Sequence, residues 1–123
     1  MIWRLLGITL AFIIGCNAPK PLENETNPAV AMSSLQSGLS TWHQGEQAAT
    51  LSTRTPPIQF SDDDWVKGRK LEKFEMGALT PVGIGMRVPV TLTLRENNGA
   101  LKVRKIHYRI YTSPAIAIGR DEN

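Results

Sequence analysis

The sequence predicts an α+β domain in which a long N-terminal helix packs on a curved antiparallel β-sheet of about four strands. Three observations carry this expectation. Ala31, Met32, Leu35, Leu39 and Trp42 recur at three- and four-residue spacing, the period of one apolar helix face. Val88, Val90, Leu92 and Leu94 alternate with Thr91, Thr93 and Arg95, the two-residue period of a half-buried strand. The helical pattern precedes the strand patterns, an order that segregates helix from sheet.

Met1 to Cys16 precede the domain and decide where it works. Arg4 gives a short stretch its positive charge, and Leu5 to Ile14 form an apolar run of ten residues broken only by Gly7 and Thr9. That is the length of a signal-peptide core, well short of the ~20 apolar residues a membrane-spanning helix needs. Gly15 is small enough for a peptidase site, and Cys16 follows at once. Ile13-Ile14-Gly15-Cys16 resembles the lipobox of bacterial lipoproteins, which ends in Gly or Ala and then Cys. The resemblance implies cleavage between Gly15 and Cys16, with lipid on the Cys16 sulfur. It places the domain in the cell envelope, outside the cytoplasm, anchored to the membrane by acyl chains. One chain holds only marginally, so firm anchoring takes more than one. The alternative is a secreted protein without lipid. Cys16 is the sole cysteine of the chain, so no intrachain disulfide can form.

Removing residues 1–15 from 123 leaves 108, enough for one domain with a single core. The formal charge of +3 drops to +2 without Arg4. Basic and acidic residues are interleaved, which disfavours a nucleic-acid partner. Residues 16–27 carry the lipidated Cys and a polar, Pro-containing tether. The domain spans 28–119, and 120–123 form a tail.

Within the domain, Asn27 can cap a helix and Pro28 suits its first position. Gly38 costs that helix about 1 kcal/mol relative to Ala, and His43-Gln44-Gly45 reads as its stop. Glu46 to Ser52 fits a short second helix with Ala48, Ala49 and Leu51 inward. Pro56-Pro57 breaks the chain direction, and Ile58-Gln59-Phe60 makes a brief strand. Ser61-Asp62-Asp63-Asp64-Trp65 reads as a capped, solvated turn. Leu71, Phe74 and Met76 fit a strand with a bulge, since alternation fails between Leu71 and Phe74; a helix over 64–73 is the alternative for its first half. Residues 77–85 read as a loop.

Met86 to Arg95 is the cleanest strand, with Pro89 predicting an unpaired edge or a bulge. Glu96-Asn97-Asn98-Gly99 is a hairpin turn. The return strand, 101–112, begins its inward set at Leu101 and Val103 and continues it at Ile106, Tyr108 and Ile110, which demands a bulge near Arg104-Lys105. Ser113-Pro114 ends it, and Ile116 with Ile118 marks a last strand.

This succession resembles the NTF2-like (SnoaL-like, cystatin-like cone) superfamily. Leu35, Leu39, Trp42 and Gly45 carry the likeness, with the segment from Phe60 to Leu71, the Val90–Leu94 strand and the strand ending Ile106-His107-Tyr108-Arg109-Ile110. It covers about residues 28 to 119 and consists of core and turn positions. It implies a cone of bent sheet around a pocket. Some members are isomerases or dehydratases with Asp, His or Tyr in that pocket; others bind ligands or dimerise through the sheet face.

No catalytic constellation is legible in the sequence, and no cofactor is implied. The three consecutive aspartates suit a solvated turn better than a calcium loop, whose ligands alternate around a Gly, so no metal is expected. His43 sits at a helix end, where the dipole favours a cation, and His107 falls on the outer strand phase without a second positioned group. Trp42, Trp65 and Tyr108 are candidate pocket or core residues. Arg104, Lys105, His107, Arg109 and Tyr111 form a candidate contact face for an acidic partner or phospholipid headgroups. The expected function is a non-catalytic envelope lipoprotein binding a protein or small-molecule partner; the alternative is a pocket enzyme of the isomerase or dehydratase type.

Overall fold

The computed structural model describes residues 25–121. Gly15 and Cys16, and with them the expected cleavage and lipidation, lie outside the described residues. Helix α1 spans Pro28–His43. The Asn27 side-chain oxygen accepts from the Val30 N–H at 3.1 Å, and Pro28 has no N–H to satisfy there. Ala31, Leu35, Leu39 and Trp42 are buried along one face, as the spacing requires. Gly45 closes the helix with φ of 85°, donating its N–H to the Trp42 carbonyl at 2.9 Å. Gly38 has a packing role that propensity does not show. A Cβ there would lie 2.4 Å from two ring atoms of Phe60, so the missing side chain lets that ring lie against the helix backbone.

The expected short second helix forms over Ala48–Thr53 as a 3-10 helix, with Leu51 buried and Ala48 half-buried but Ala49 exposed. The Ser52 and Thr53 hydroxyls bond back to the carbonyls three residues earlier, and no side chain caps the start, which favours the tighter turn. Strand β1 is Ile58–Ser61, and α2, Asp63–Val66, is a single turn. Strands β2 (Lys70–Met76), β3 (Thr80–Val82), β4 (Gly85–Arg95), β5 (Leu101–Tyr111) and β6 (Ile116–Arg120) complete the chain. β3 lies within the stretch expected to be a loop.

The sheet is curled, with α1 packed on it. Its order is β1-β6-β5-β4-β2, with β3 also on β4. It therefore has six strands rather than about four, and it is mixed rather than antiparallel, because β1 runs parallel to β6. The chain between β1 and β6 includes four other strands, ample length for a parallel pairing, which a tight hairpin cannot make.

Register explains several local features. β2 slips against β4 between Leu71 and Lys73, the bulge that its broken alternation predicts. Pro89 falls between the stretches of β4 paired by β2 and by β3, with its carbonyl accepting from Gly77 N–H at 2.7 Å. A residue's N–H and C=O point the same way in a strand, so the missing donor faces this gap. At the hairpin, Gly99 alone takes a left-handed φ, 92°, and its N–H bonds the Glu96 carbonyl.

The expected bulge near Arg104-Lys105 does not occur. β4 and β5 pair without a slip from Met86↔Ile110 to Arg95↔Leu101. Leu101 and Val103 consequently face outward, 57% and 62% exposed. Tyr108 and Ile110 fix the inner phase of β5, and Arg104 extends that phase toward Asp64. A slip would bury two apolar side chains but turn Arg104 away from its carboxylate.

The ends of the domain also differ from expectation. Thr26 is buried, its N–H bonded to the Ile84 carbonyl, and Asn27 N–H donates to the Thr112 hydroxyl at 2.9 Å. Both belong to the domain, not to a tether. Arg120 closes β6 rather than starting a tail. No helix among the described residues is long and apolar enough to cross a membrane.

Candidate functional site

Polar chemistry concentrates where the strand period is carried one step past the last apolar residue. Ile58 and Phe60 face inward on β1, so Asp62 continues that face; Ile116 and Ile118 face inward on β6, and Arg120 follows. The parallel register pairs Ile58 with Ile116 and Phe60 with Ile118, which brings Asp62 level with Arg120. On the other side of β6, Arg120 pairs with Tyr108. Sequence periodicity and register thus line up Asp62, Arg120 and Tyr108 across the inner face.

The geometry is tight. Arg120 donates from Nε to Asp62 Oδ2 at 2.9 Å, and from Nη2 to Asp62 Oδ1 at 3.0 Å and Asp64 Oδ2 at 2.6 Å. The Tyr108 hydroxyl donates to Asp62 Oδ2. Asp62 also caps α2, accepting from the N–H groups of Asp64 and Trp65 at 2.9 and 3.4 Å. Arg69 Nη1 reaches Asp64 Oδ1 at 2.7 Å, and Arg104 Nε lies 3.6 Å from Asp64 Oδ2. Asp62 and Asp64 are each only 4% exposed. The cap matches expectation; the solvation does not. Carboxylates enter an interior when cations and donors replace their water, and here the replacements come from residues distant in sequence.

Protonation follows from these partners. Burial alone would raise the Asp64 carboxyl, but the hydrogen bond and charge of Arg120, with Arg104 and Arg69, outweigh it and hold the group below its ordinary range. Burial and the negative charge of Asp62 push the Tyr108 hydroxyl far above its ordinary value, so it stays protonated and donating. Burial opposes the Arg120 charge, yet its bonds to Asp62 and Asp64 win and fix the guanidinium as a cation.

The aromatic residues pack around this network. Trp42 and Trp65 stack with centroids 5.3 Å apart and planes 6° from parallel. Phe60 meets Trp65 and Tyr108 edge-on, each at 5.3 Å. Each indole N–H is satisfied by a backbone carbonyl, that of Arg69 for Trp42 and that of Glu46 for Trp65. Tyr108 lies in the closed core, whereas Trp42, though 2% exposed, borders with Trp65 a cleft of about 180 Å³ that Arg69 and Lys70 also line. Trp65, though 7% exposed, also borders a cleft of about 420 Å³ with Gln47, Ala48, Ala49, Val66 and Gly68, where nothing titrates. His43 is a structural group: its Nδ1 lies 2.9 Å from the Leu71 carbonyl, which can only accept, so that nitrogen carries the proton.

The candidate contact face divides. Lys105, His107, Arg109 and Tyr111 share the outer phase of β5, whereas Arg104 belongs to the inner phase and approaches Asp64. Arg109 sits opposite Arg87 across β4 and β5, a like-charge pair that would repel. Asp121 relieves it, with Oδ2 at 2.7 Å from Arg109 Nη2 and 3.2 Å from Arg87 Nε. Beside this group, where β6 ends, a cleft of about 380 Å³ is lined by Arg87, Arg104, Lys105, His107, Arg120 and Asp121, with Ile106 at its side. Among the described residues, no three His, Cys, Asp or Glu converge on a point that could hold a metal ion.

The chain matches no protein-family model, no curated protein and no solved structure.

Proposed function

We propose that the chain is a cell-envelope lipoprotein, anchored through Cys16, whose single domain of NTF2-like architecture binds a partner or small ligand without performing chemistry on it. The saturation of the interior supports the non-catalytic part. An acid–base catalyst needs a titratable group facing its substrate, but Asp62, Asp64 and Tyr108 face one another and Arg120. The curled sheet around one long helix supports the architecture. Ile13-Ile14-Gly15-Cys16, with the apolar run before it, supports the anchor.

The test is the intact mass of the protein from the membrane fraction, beside a Cys16→Ala variant. A mass lacking residues 1–15 and carrying acyl chains, with both changes lost in the variant, is the expected result. An unmodified Cys16 in wild type would overturn the anchor.

A further inference from the structure

We propose that the cleft at the end of β6 binds a phosphate-ester oxyanion at the edge of β5 that β6 leaves open, gripped by Arg104 from the inner face and Lys105 from the outer face and oriented against Arg120 and Arg87. The inference rests on the reading of the domain as a binding module and names the class of its ligand. Five of the residues that line the cleft are basic or imidazole side chains, against the single carboxylate of Asp121. That carboxylate is already engaged by Arg109 and Arg87. Arg120 is engaged by Asp62 and Asp64, so it contributes a fixed, preorganised edge of positive potential rather than a free charge.

Arg104 and Lys105 are different. The Nε of Arg104 is buried and makes no hydrogen bond; its one ionic neighbour is Asp64, at 3.6 Å, too far for a hydrogen bond. Asp64 is meanwhile held at shorter range by Arg120 and Arg69. Lys105 is exposed and has no ion-pair partner among the described residues. The Arg104 side chain as a whole is 36% exposed, and a planar guanidinium is matched to the paired oxygens of a phosphate. Two under-compensated cations flanking one cleft match a dianionic monoester or a monoanionic diester. The volume accommodates a small organic phosphate as readily as a phospholipid headgroup, and the chemistry is the same for both.

The test uses the full-length protein in non-ionic detergent, titrated calorimetrically with glycerol 3-phosphate while the Nε–H resonances of Arg104 and Arg120 are followed by NMR. A second arm records the same resonances in nanodiscs of phosphatidylcholine and of phosphatidylglycerol. Saturable binding, with both resonances shifted, is expected in at least one arm. The first arm responding alone identifies a free ester, the second alone a headgroup. Affinity should fall with added salt and drop about tenfold or more in Lys105→Glu. Because Lys105 is exposed and unpaired, that variant should fold normally; Arg104→Gln should weaken binding similarly. No saturable response in either arm, or wild-type binding by Lys105→Glu, would overturn the proposal. Released inorganic phosphate would instead overturn the non-catalytic reading while leaving the binding site intact, and an unlipidated mass would affect only the anchor.

Discussion

Replacing Arg120 by Gln should destabilise the domain by about 3 kcal/mol, and the structure explains the size. The substitution removes three short contacts to two carboxylates. Breaking a buried ion pair from one side typically costs about 3–5 kcal/mol, because the other charge is left uncompensated. Asp64 retains Arg69 and Arg104. Asp62, whose side chain is fully buried, retains no cation, but it keeps the Tyr108 hydroxyl and two N–H donors of α2. These partners put the expected cost at the lower end of the range. With an m-value of about 1.5 kcal/mol/M for a domain of this size, the urea midpoint should fall by about 2 M. The assay is urea unfolding of the full chain in non-ionic detergent, followed through fluorescence of the Trp42–Trp65 stack. Adding Asp62→Asn to the variant removes the stranded charge, so the double change should cost about 2 kcal/mol less than the sum of the single changes. A midpoint shift under about 0.5 M for Arg120→Gln, or additive costs, would refute a coupled buried network.

Two further outcomes follow from the same packing. Gly38→Ala should destabilise by about 1–3 kcal/mol, although Ala is the better helix former by about 1 kcal/mol, because the new methyl group would meet the Phe60 ring; a higher melting temperature would show that the ring is free to move. Asp64 has its folded-state pKa held below its unfolded value, so it contributes stability above the unfolded pKa of about 3.9, and that contribution is lost as pH falls through the folded pKa. Asp64→Asn should therefore be less stable than wild type at pH 7, with the gap narrowing below about pH 4; a gap independent of pH in parallel urea titrations would contradict the charge-based account.

Strong local patterns could be read from the sequence because their causes are local. The α1 stripe, its Asn27 cap and Gly45 stop, the β2 bulge, the unpaired gap at Pro89 and the Asn-Gly turn each depend on residues within a few positions. The phase of β5 could not be read, since Leu101 and Val103 look inward by composition while the ladder to β4 and the reach of Arg104 to Asp64 turn them out. The strand Thr80–Val82 carries only three residues and no alternation to detect.

The candidate site was half legible. Tyr108 stands out in the sequence through its alternation with Ile106 and Ile110, and Arg104 and Lys105 through the density of positive charge. The burial of Asp62 is not legible, because three consecutive aspartates look solvated, although the inward phase of Ile58 and Phe60 points it to the interior. By itself the sequence determined the helix, the strand periods and the inward faces of α1 and β4, because backbone geometry sets those periods residue by residue. Only the tertiary structure decided that β6 lies between β1 and β5. That placement sets Arg120 beside Asp62, 58 positions away in the chain, and makes burial of two carboxylates tolerable, since a buried charge is stable only where folding delivers its partner.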